Sequence, residues 1–180
     1  MALTTIPLPY GLRDVKVATL DAAGTKGTLV DLPNAQTFEF EETTSTQELR
    51  GDDTVVAKRT TVDGVAWTLE AGGISLEACV VMFGGAITSS GTTPAQKKQY
   101  RRLATDAYPS FFVEGQSLSE SGGDFHTVVY NAKAEKFSGS HTDQEFWVTH
   151  AEGSGVGSIA VATLGAVWDH VQNETKLDIV

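Results

Sequence analysis

Two glycine- and serine-containing segments resemble loops that bind phosphate or carry a nucleophile. Residues 153–157 (GSGVG) lack the Lys-Ser/Thr of a P-loop and the G-x-G-x-x-G spacing of a dinucleotide site, so we interpret residues 153–158 as a flexible connector. Residues 115–119 (GQSLS) lack the final glycine of a nucleophile elbow and lie between predicted strands. Neither segment predicts catalysis.

The titratable side chains predict no metal or cofactor site either. None of the histidines is at zinc-ligand spacing, and we expect them on solvent-facing strands or turns. They are His126, His141, His150 and His170. Asp52 and Asp53 follow Gly51 and could hold a cation, but turn formation explains them. Cys79 is the single cysteine, which excludes an internal disulfide and favours a buried structural thiol. We therefore do not expect an enzyme.

Composition predicts one mainly β domain that stays in the cytoplasm where it is made. The chain has 180 residues, 41% of them hydrophobic, with 18 glycines that favour turns and strands. A net charge of −10 repels nucleic acid, although Lys97, Lys98, Arg101 and Arg102 cluster; we interpret these as a solvated strand face. The N-terminus does not read as a signal peptide, and no stretch is long and apolar enough to span a bilayer.

The stretch 36–85 contains the clearest predicted elements. Val65, Trp67 and Leu69 alternate with polar residues, which predicts a strand with one dry face, and Asp63-Gly64 predicts a two-residue turn that pairs residues 54–62 with that strand. Helical spacing over about 75–83, with Ser75 as N-cap and Gly84 at the end, predicts a short α-helix covering the dry face.

Upstream of this strand, residues 37–41 alternate so that Phe38 and Phe40 enter the core while Thr37, Glu39 and Glu41 meet water. Glu70 lies on the wet face of its own strand. The polar stretch 43–53 has little to bury and predicts a long protruding loop.

Two further hairpins are predicted, one from residues 14–20 and 27–32, and one from residues 110–114 and 125–130. Residues 96–106 form a predicted strand after a polar loop at 88–94, and 144–150 is the last clear strand. Residues 1–12 predict an N-terminal arm. Residues 159–180, strand or helix, must pack on their own domain or on a neighbouring subunit.

Six sequence strings, in this order, resemble the major tail (tail tube) proteins of long flexible-tailed bacteriophages. The resemblance covers most of the chain, from about Pro7 to about Glu152, and none of the strings is a catalytic signature. They are PYGLRDVK (9–16), DLP (31–33), FEFEE (38–42), ELRGDD (48–53), VVA (55–57) and LEAGGISLEA (69–78).

The resemblance implies a structural virion protein with a β-sandwich or barrel-like tail-tube fold that assembles as stacked hexameric rings. The partners it implies are further copies of the chain, a tape measure protein, and tail tip and terminator proteins, while genome DNA would pass through the tube without specific binding. The loop at 43–53 would bridge to the adjacent ring. Its candidate residues are Thr43, Thr44, Gln47, Glu48, Leu49, Arg50, Asp52 and Asp53.

Glu39, Glu41 and Glu70 are the candidate lumen-lining residues. Solvation alone explains charges on a wet strand face. If strands of several subunits instead join into a closed tube, the same face lines a channel that repels the phosphate backbone.

Two other classes stay open. A capsid-decorating or carbohydrate-binding β-sandwich would need Tyr100, Trp147 or Trp168 as a ligand platform. An enzyme would depend on His126 or His150.

Overall fold

A computed structural model of the chain describes residues 8–120 and 122–180. Strand covers about 60% of the chain, which confirms the mainly β prediction. The elements are β1 Pro9–Leu20, β2 Lys26–Asp31, β3 Ala35–Gly51, β4 Thr54–Ala71, α1 Leu76–Phe83, β5 Ala86–Ser90, β6 Lys97–Arg101, β7 Ser110–Ser119, β8 Asp124–Ser140, β9 Val148–Gly155, a single 3₁₀ turn Val161–Thr163 and β10 Trp168–Asn173.

Eight strands form one antiparallel sheet in the order β2-β1-β7-β8-β9-β4-β3, with β10 pairing to β8. This sheet folds over on itself. Trp67 of β4 meets Phe111 of β7 edge to face at 5.5 Å although two strands separate them in the sheet. A Cβ added at Gly115 of β7 would lie 2.6 Å from the Phe38 ring of β3, so this glycine lets the two halves approach. The fold is barrel-like, as predicted.

The core lies between the two halves of the sheet. Val65, Trp67 and Leu69 are each at most 1% exposed, which confirms the predicted dry face of β4. Val15 and Val17 of β1 and the residues Phe111 and Val113 of β7 fill the opposite wall by the same alternation.

Helix α1 closes one side of this core, as predicted. The Ser75 hydroxyl accepts a hydrogen bond from the Ala78 N–H at 3.2 Å, and Gly84 ends the helix at φ 75°. The buried face includes Cys79, Met82 and Phe83. Burial raises the pKa of the Cys79 thiol to about 11, so this thiol is poorly ionised, as expected.

The predicted turn at Asp63-Gly64 is wrong, because β4 runs straight through both residues. Thr43 pairs with Gly64 and Thr44 with Val62, so Asp63 is the extra residue of a β-bulge. The actual turn is Asp52-Asp53, with φ 47° and 65°, between the paired residues Gly51 and Thr54. Two positive φ angles fit a two-residue hairpin turn, and aspartate tolerates them.

The predicted loop at 43–53 is also wrong. Residues 43–51 belong to β3 and pair antiparallel with β4, so residues 43–53 are one arm and the turn of a long hairpin. Thr-rich strands keep β-propensity even where neither face is buried, which is why low apolar content misled the prediction.

Predictions around the C-terminal strands were partly wrong. Strand β9 begins at Val148 and continues through Gly155, so residues 144–147 precede it and the connector at 153–158 is half strand. Residues 159–180 pack on their own domain, with β10 paired to β8.

The predicted loop at 88–94 begins inside β5, which pairs with β6. In the predicted N-terminal arm, residues 9–12 belong to β1, and residues 1–7 lie outside the described residues.

Candidate assembly surfaces

Strand register places the three candidate lining residues on one face of β3 and β4. Glu39 lies opposite Thr68, and Thr37 lies opposite Glu70 with its hydroxyl donating to Glu70 Oε2 at 3.0 Å. Glu41 is two residues from Glu39 on the same face, and all three carboxylates are exposed. The face continues onto β9, where Thr68 is also opposite Glu152. We call Glu39, Glu41, Glu70 and Glu152 the acidic face.

The β9 end of the acidic face is partly neutralised. Lys136 Nζ lies 2.9 Å from Glu152 Oε1, and His150 Nε2 lies 3.2 Å from Glu152 Oε2. The hydrogen bonds from Lys136 and His150 lower the pKa of Glu152. Among the described residues, Glu39 and Glu41 form no salt bridge. Uncompensated charge is therefore concentrated on β3. Glu152 and Lys136 were not among the residues predicted from the sequence for this face. Glu152 lies between the buried residues Ala151 and Gly153, so alternation along β9 could have placed its side chain on the exposed face.

Residues 43–63, which we call the distal hairpin, extend beyond the core. Every residue from 41 to 63 is exposed, including all the candidate inter-ring residues. The arms are tied by side-chain bonds, such as Thr46 to Thr60 at 3.0 Å and Ser45 to Thr61 at 3.1 Å. The β3 arm of nine residues spans roughly 30 Å at ~3.3 Å per residue. The hairpin thus reaches well away from the folded body.

The distal hairpin also exposes large apolar side chains. Leu49 is 64% exposed and Val56 65%, while Val55 and Val62 are each about half exposed. An isolated two-stranded hairpin with no covered face is marginally stable in water. By strand register Leu49 lies on one face of the ribbon and Val55 and Val62 on the other, so a partner surface on either face would bury apolar side chains and stabilise the hairpin.

Strand β3 has a free edge. It pairs with β4 on one side, and within residues 8–120 and 122–180 no strand pairs with its other side. The edge is 17 residues long. Long unpaired edges present rows of N–H and C=O groups to which another strand can add.

The aromatic residues considered as a ligand platform each pack against different neighbours. Tyr100 donates its hydroxyl to the Gly84 carbonyl at 2.8 Å. Trp168 donates its indole N–H to Glu42 at 2.6 Å. Trp147 is 47% exposed, and its ring lies 4.1 Å from that of His141, centre to centre, at a tilt of 45°.

His126 is buried, which corrects the prediction of a solvent-facing histidine. Its Nδ1 lies 2.5 Å from Glu114 Oε1, and its Nε2 lies 3.0 Å from Asp124 Oδ2. Burial acts to lower the pKa of His126, but the hydrogen bonds and charges of Glu114 and Asp124 raise it above its ordinary value. We call Glu114, Gln116, Asp124 and His126 the polar cluster.

Asp124 is fully buried at the centre of the polar cluster. Burial acts to raise the pKa of Asp124, but four hydrogen bonds outweigh it and lower the pKa to about 2. The donors are the Leu177 N–H, Asn173, His126 and Gln116. An alternating-sequence argument could have found this cluster, because Gln116 and His126 both fall on one face of their strands.

Comparison of the chain with protein-family models and with curated proteins found no match. Within the described parts of the chain, no three His, Cys, Asp or Glu residues are grouped as a metal site requires. No helix there has the length and apolar character needed to cross a membrane.

Proposed function

We propose that this chain is the major tail protein of a long flexible-tailed bacteriophage, a virion subunit that polymerises as stacked hexameric rings into the tail tube. The observation that carries the proposal is the β3–β4 hairpin, which leaves the folded body with every residue from 41 to 63 exposed. The resemblance of the sequence strings supplies the family, and it alone supplies the hexamer, the tape measure protein and the terminator.

The distal hairpin supports contact between rings. In an isolated subunit its four apolar side chains remain in water, although burial is worth about 25 cal/mol per Å². A reach of roughly 30 Å allows those side chains to contact the body of another subunit. The hairpin would then gain the covered face that a two-stranded ribbon lacks.

The free edge of β3 supports contact within a ring. A strand of the neighbouring subunit that added to this edge would continue the sheet, and closure of the ring would leave no exposed edge. Glu39 and Glu41 lie on this strand, so their face would be repeated around the closed sheet.

An acidic lumen suits conduction of DNA. A duplex carries one negative charge per about 1.7 Å of its axis, so a channel wall with carboxylates repels it and keeps it from sticking. The unpaired Glu39 and Glu41 would supply that repulsion, and the net charge of −10 agrees with it.

Electron microscopy of the purified protein at rising concentration, together with light scattering, tests the proposal. We expect hollow tubes or stacked rings. The Leu49→Lys substitution in the distal hairpin should abolish them, because it places a charge in the apolar contact. Leu103→Lys is the matched control, since Leu103 is similarly exposed at 57% but lies outside the hairpin. Equal assembly of both variants would contradict the role of the hairpin.

A further inference from the structure

The last seven residues form a strap over the outer face of the sheet. Residues 174–180, which we call the C-terminal strap, follow β10 but are not a strand of the sheet. The strap is held by Asp124 of β8, Gln116 of β7, Lys16 of β1 and Lys26 of β2. It therefore crosses four strands within a few residues.

The part of the outer face that holds the strap, which we call the groove, binds both the N–H and the carbonyl of Leu177. Asp124 Oδ2 accepts the Leu177 N–H at 2.8 Å, and Gln116 Nε2 donates to the Leu177 carbonyl at 2.7 Å. The Leu177 side chain is 53% exposed, so recognition here is of the backbone. Two side chains thus bond the N–H and the carbonyl of one strap residue, the two main-chain groups that a pairing strand would otherwise bond.

The strap also has an apolar anchor between two carbonyl contacts. Ile179 is 3% exposed, and its carbonyl accepts from Lys16 Nζ at 3.1 Å. The Val180 carbonyl accepts from Lys26 Nζ at 2.8 Å, and that ammonium lies 4.5 Å from the centre of the Phe112 ring. Beside this end of the strap lies a cavity of about 510 Å³, lined by Lys26, Phe112 and Tyr130 among others.

The groove is formed mainly by groups outside the strap. Three of the four donors to Asp124 belong to β7, β8 and β10, namely Gln116, His126 and Asn173. They keep the carboxylate oriented when the Leu177 N–H is absent. Gln116 is 2% exposed, so the polar atoms that receive the strap are fixed inside the fold.

We propose that this outer face of β1, β7 and β8 is a binding site for an extended peptide with an aliphatic anchor, and that its ligand is the strap sequence 174–180 supplied by a second copy of the chain when the groove's own strap is displaced. Selectivity comes from the buried isoleucine position, and affinity comes from the carbonyl and N–H contacts on either side of it. The site is independent of the proposed function.

The test uses the full-length chain with its own strap disabled. The Ile179→Asp substitution removes the anchor and leaves every groove residue intact. A fluorescent peptide of sequence ETKLDIV is then titrated into this variant and into the wild-type protein, with binding followed by anisotropy. We expect saturable binding to Ile179→Asp and at least tenfold weaker binding to the wild type, whose groove is occupied.

Two controls make the outcome decisive. A scrambled peptide should bind Ile179→Asp at least tenfold more weakly, and adding Gln116→Ala to that variant should weaken binding of ETKLDIV. Equal binding of the scrambled peptide, or equal binding to wild type and variant, would overturn the proposal. If Ile179→Asp does not fold, Leu177→Pro serves instead, because proline at 177 has no N–H to donate to Asp124 and restricts the strap backbone at the point where it is bound; the same outcomes decide.

Discussion

Shortening the distal hairpin without changing its turn is the sharpest perturbation of the proposed ring contact. Deleting residues 46–49 together with 57–60 removes four facing pairs, from Thr46 with Thr60 to Leu49 with Ala57. The turn residues 50–56 remain. Because four residues leave each strand, the side-chain alternation on either side of the deletion is preserved. A deletion confined to residues 47–52, which a loop interpretation favours, would instead remove the turn and leave β4 without its partner.

The deletion should shorten the distal hairpin considerably but hardly change the stability of the protein. Each arm becomes shorter by about 13 Å at ~3.3 Å per residue. The eight deleted residues are all exposed, so no core contact is lost. Cross-strand pairs contribute roughly 0.2–1 kcal/mol each, but a hairpin with no buried face opens locally and hardly adds to the global free energy of unfolding. We expect that free energy to change by less than about 1 kcal/mol.

The free energy of unfolding is measured by urea titration with tryptophan fluorescence, and assembly by electron microscopy and sedimentation. The shortened protein should be folded and should form no tubes. Leu103→Lys, an exposed change outside the hairpin, should assemble normally. Tubes of normal length from the shortened protein would refute the argument, because a 13 Å loss of reach would then have no effect on the contact.

Three other predictions follow from the core, the polar cluster and the acidic face. Gly153→Val should lower the free energy of unfolding by about 2–4 kcal/mol, because even a Cβ there would lie within 3 Å of a main-chain carbonyl of β8 and of the Trp67 ring. Gly157→Ala, the control, should change that free energy little, and urea titration measures both. The raised pKa of His126 predicts a contribution to stability that is complete below about pH 6.5 and is lost as pH rises through that pKa. Unfolding measured against pH should lose this slope in His126→Gln. Replacing Glu39 and Glu41 by lysine should leave tubes that retain duplex DNA in low salt, as co-sedimentation would detect; no retention would argue against their position in the lumen.

Sequence patterns predicted the elements whose periodicity is set by the core. Val65, Trp67 and Leu69 alternate because only one face of β4 meets the core, and α1 is delimited by Ser75 and Gly84, whose roles are local. In each case the residues that carry the pattern are only a few positions apart in the sequence. That is why these predictions were confirmed.

The wrong predictions concern residues whose conformation depends on distant neighbours. Asp63-Gly64 has the composition of a turn, yet a Cβ at Gly64 would lie 2.6 Å from the Gly155 carbonyl, so close approach of β9 explains that glycine. Gly153 has the composition of a linker, but its missing side chain makes room for the Trp67 ring and the β8 backbone. The candidate acids share a face because of strand register. Alternation within β7 and β8 could have indicated the polar cluster, but the strap that donates the Leu177 N–H to Asp124 lies more than 50 residues away, and no local pattern reveals that contact.

The contacts of Asp124 also set an order in which the protein can be completed during synthesis. Two of its four hydrogen-bond donors, Asn173 and the Leu177 N–H, emerge from the ribosome about 50 residues after the aspartate itself. Until then the carboxylate lacks half of its donors and has reason to stay hydrated. The polar cluster on the outer face of β7 and β8 is therefore completed only after residue 177 has been made, so the strap closes a set of hydrogen bonds whose β7 and β8 members were synthesised first.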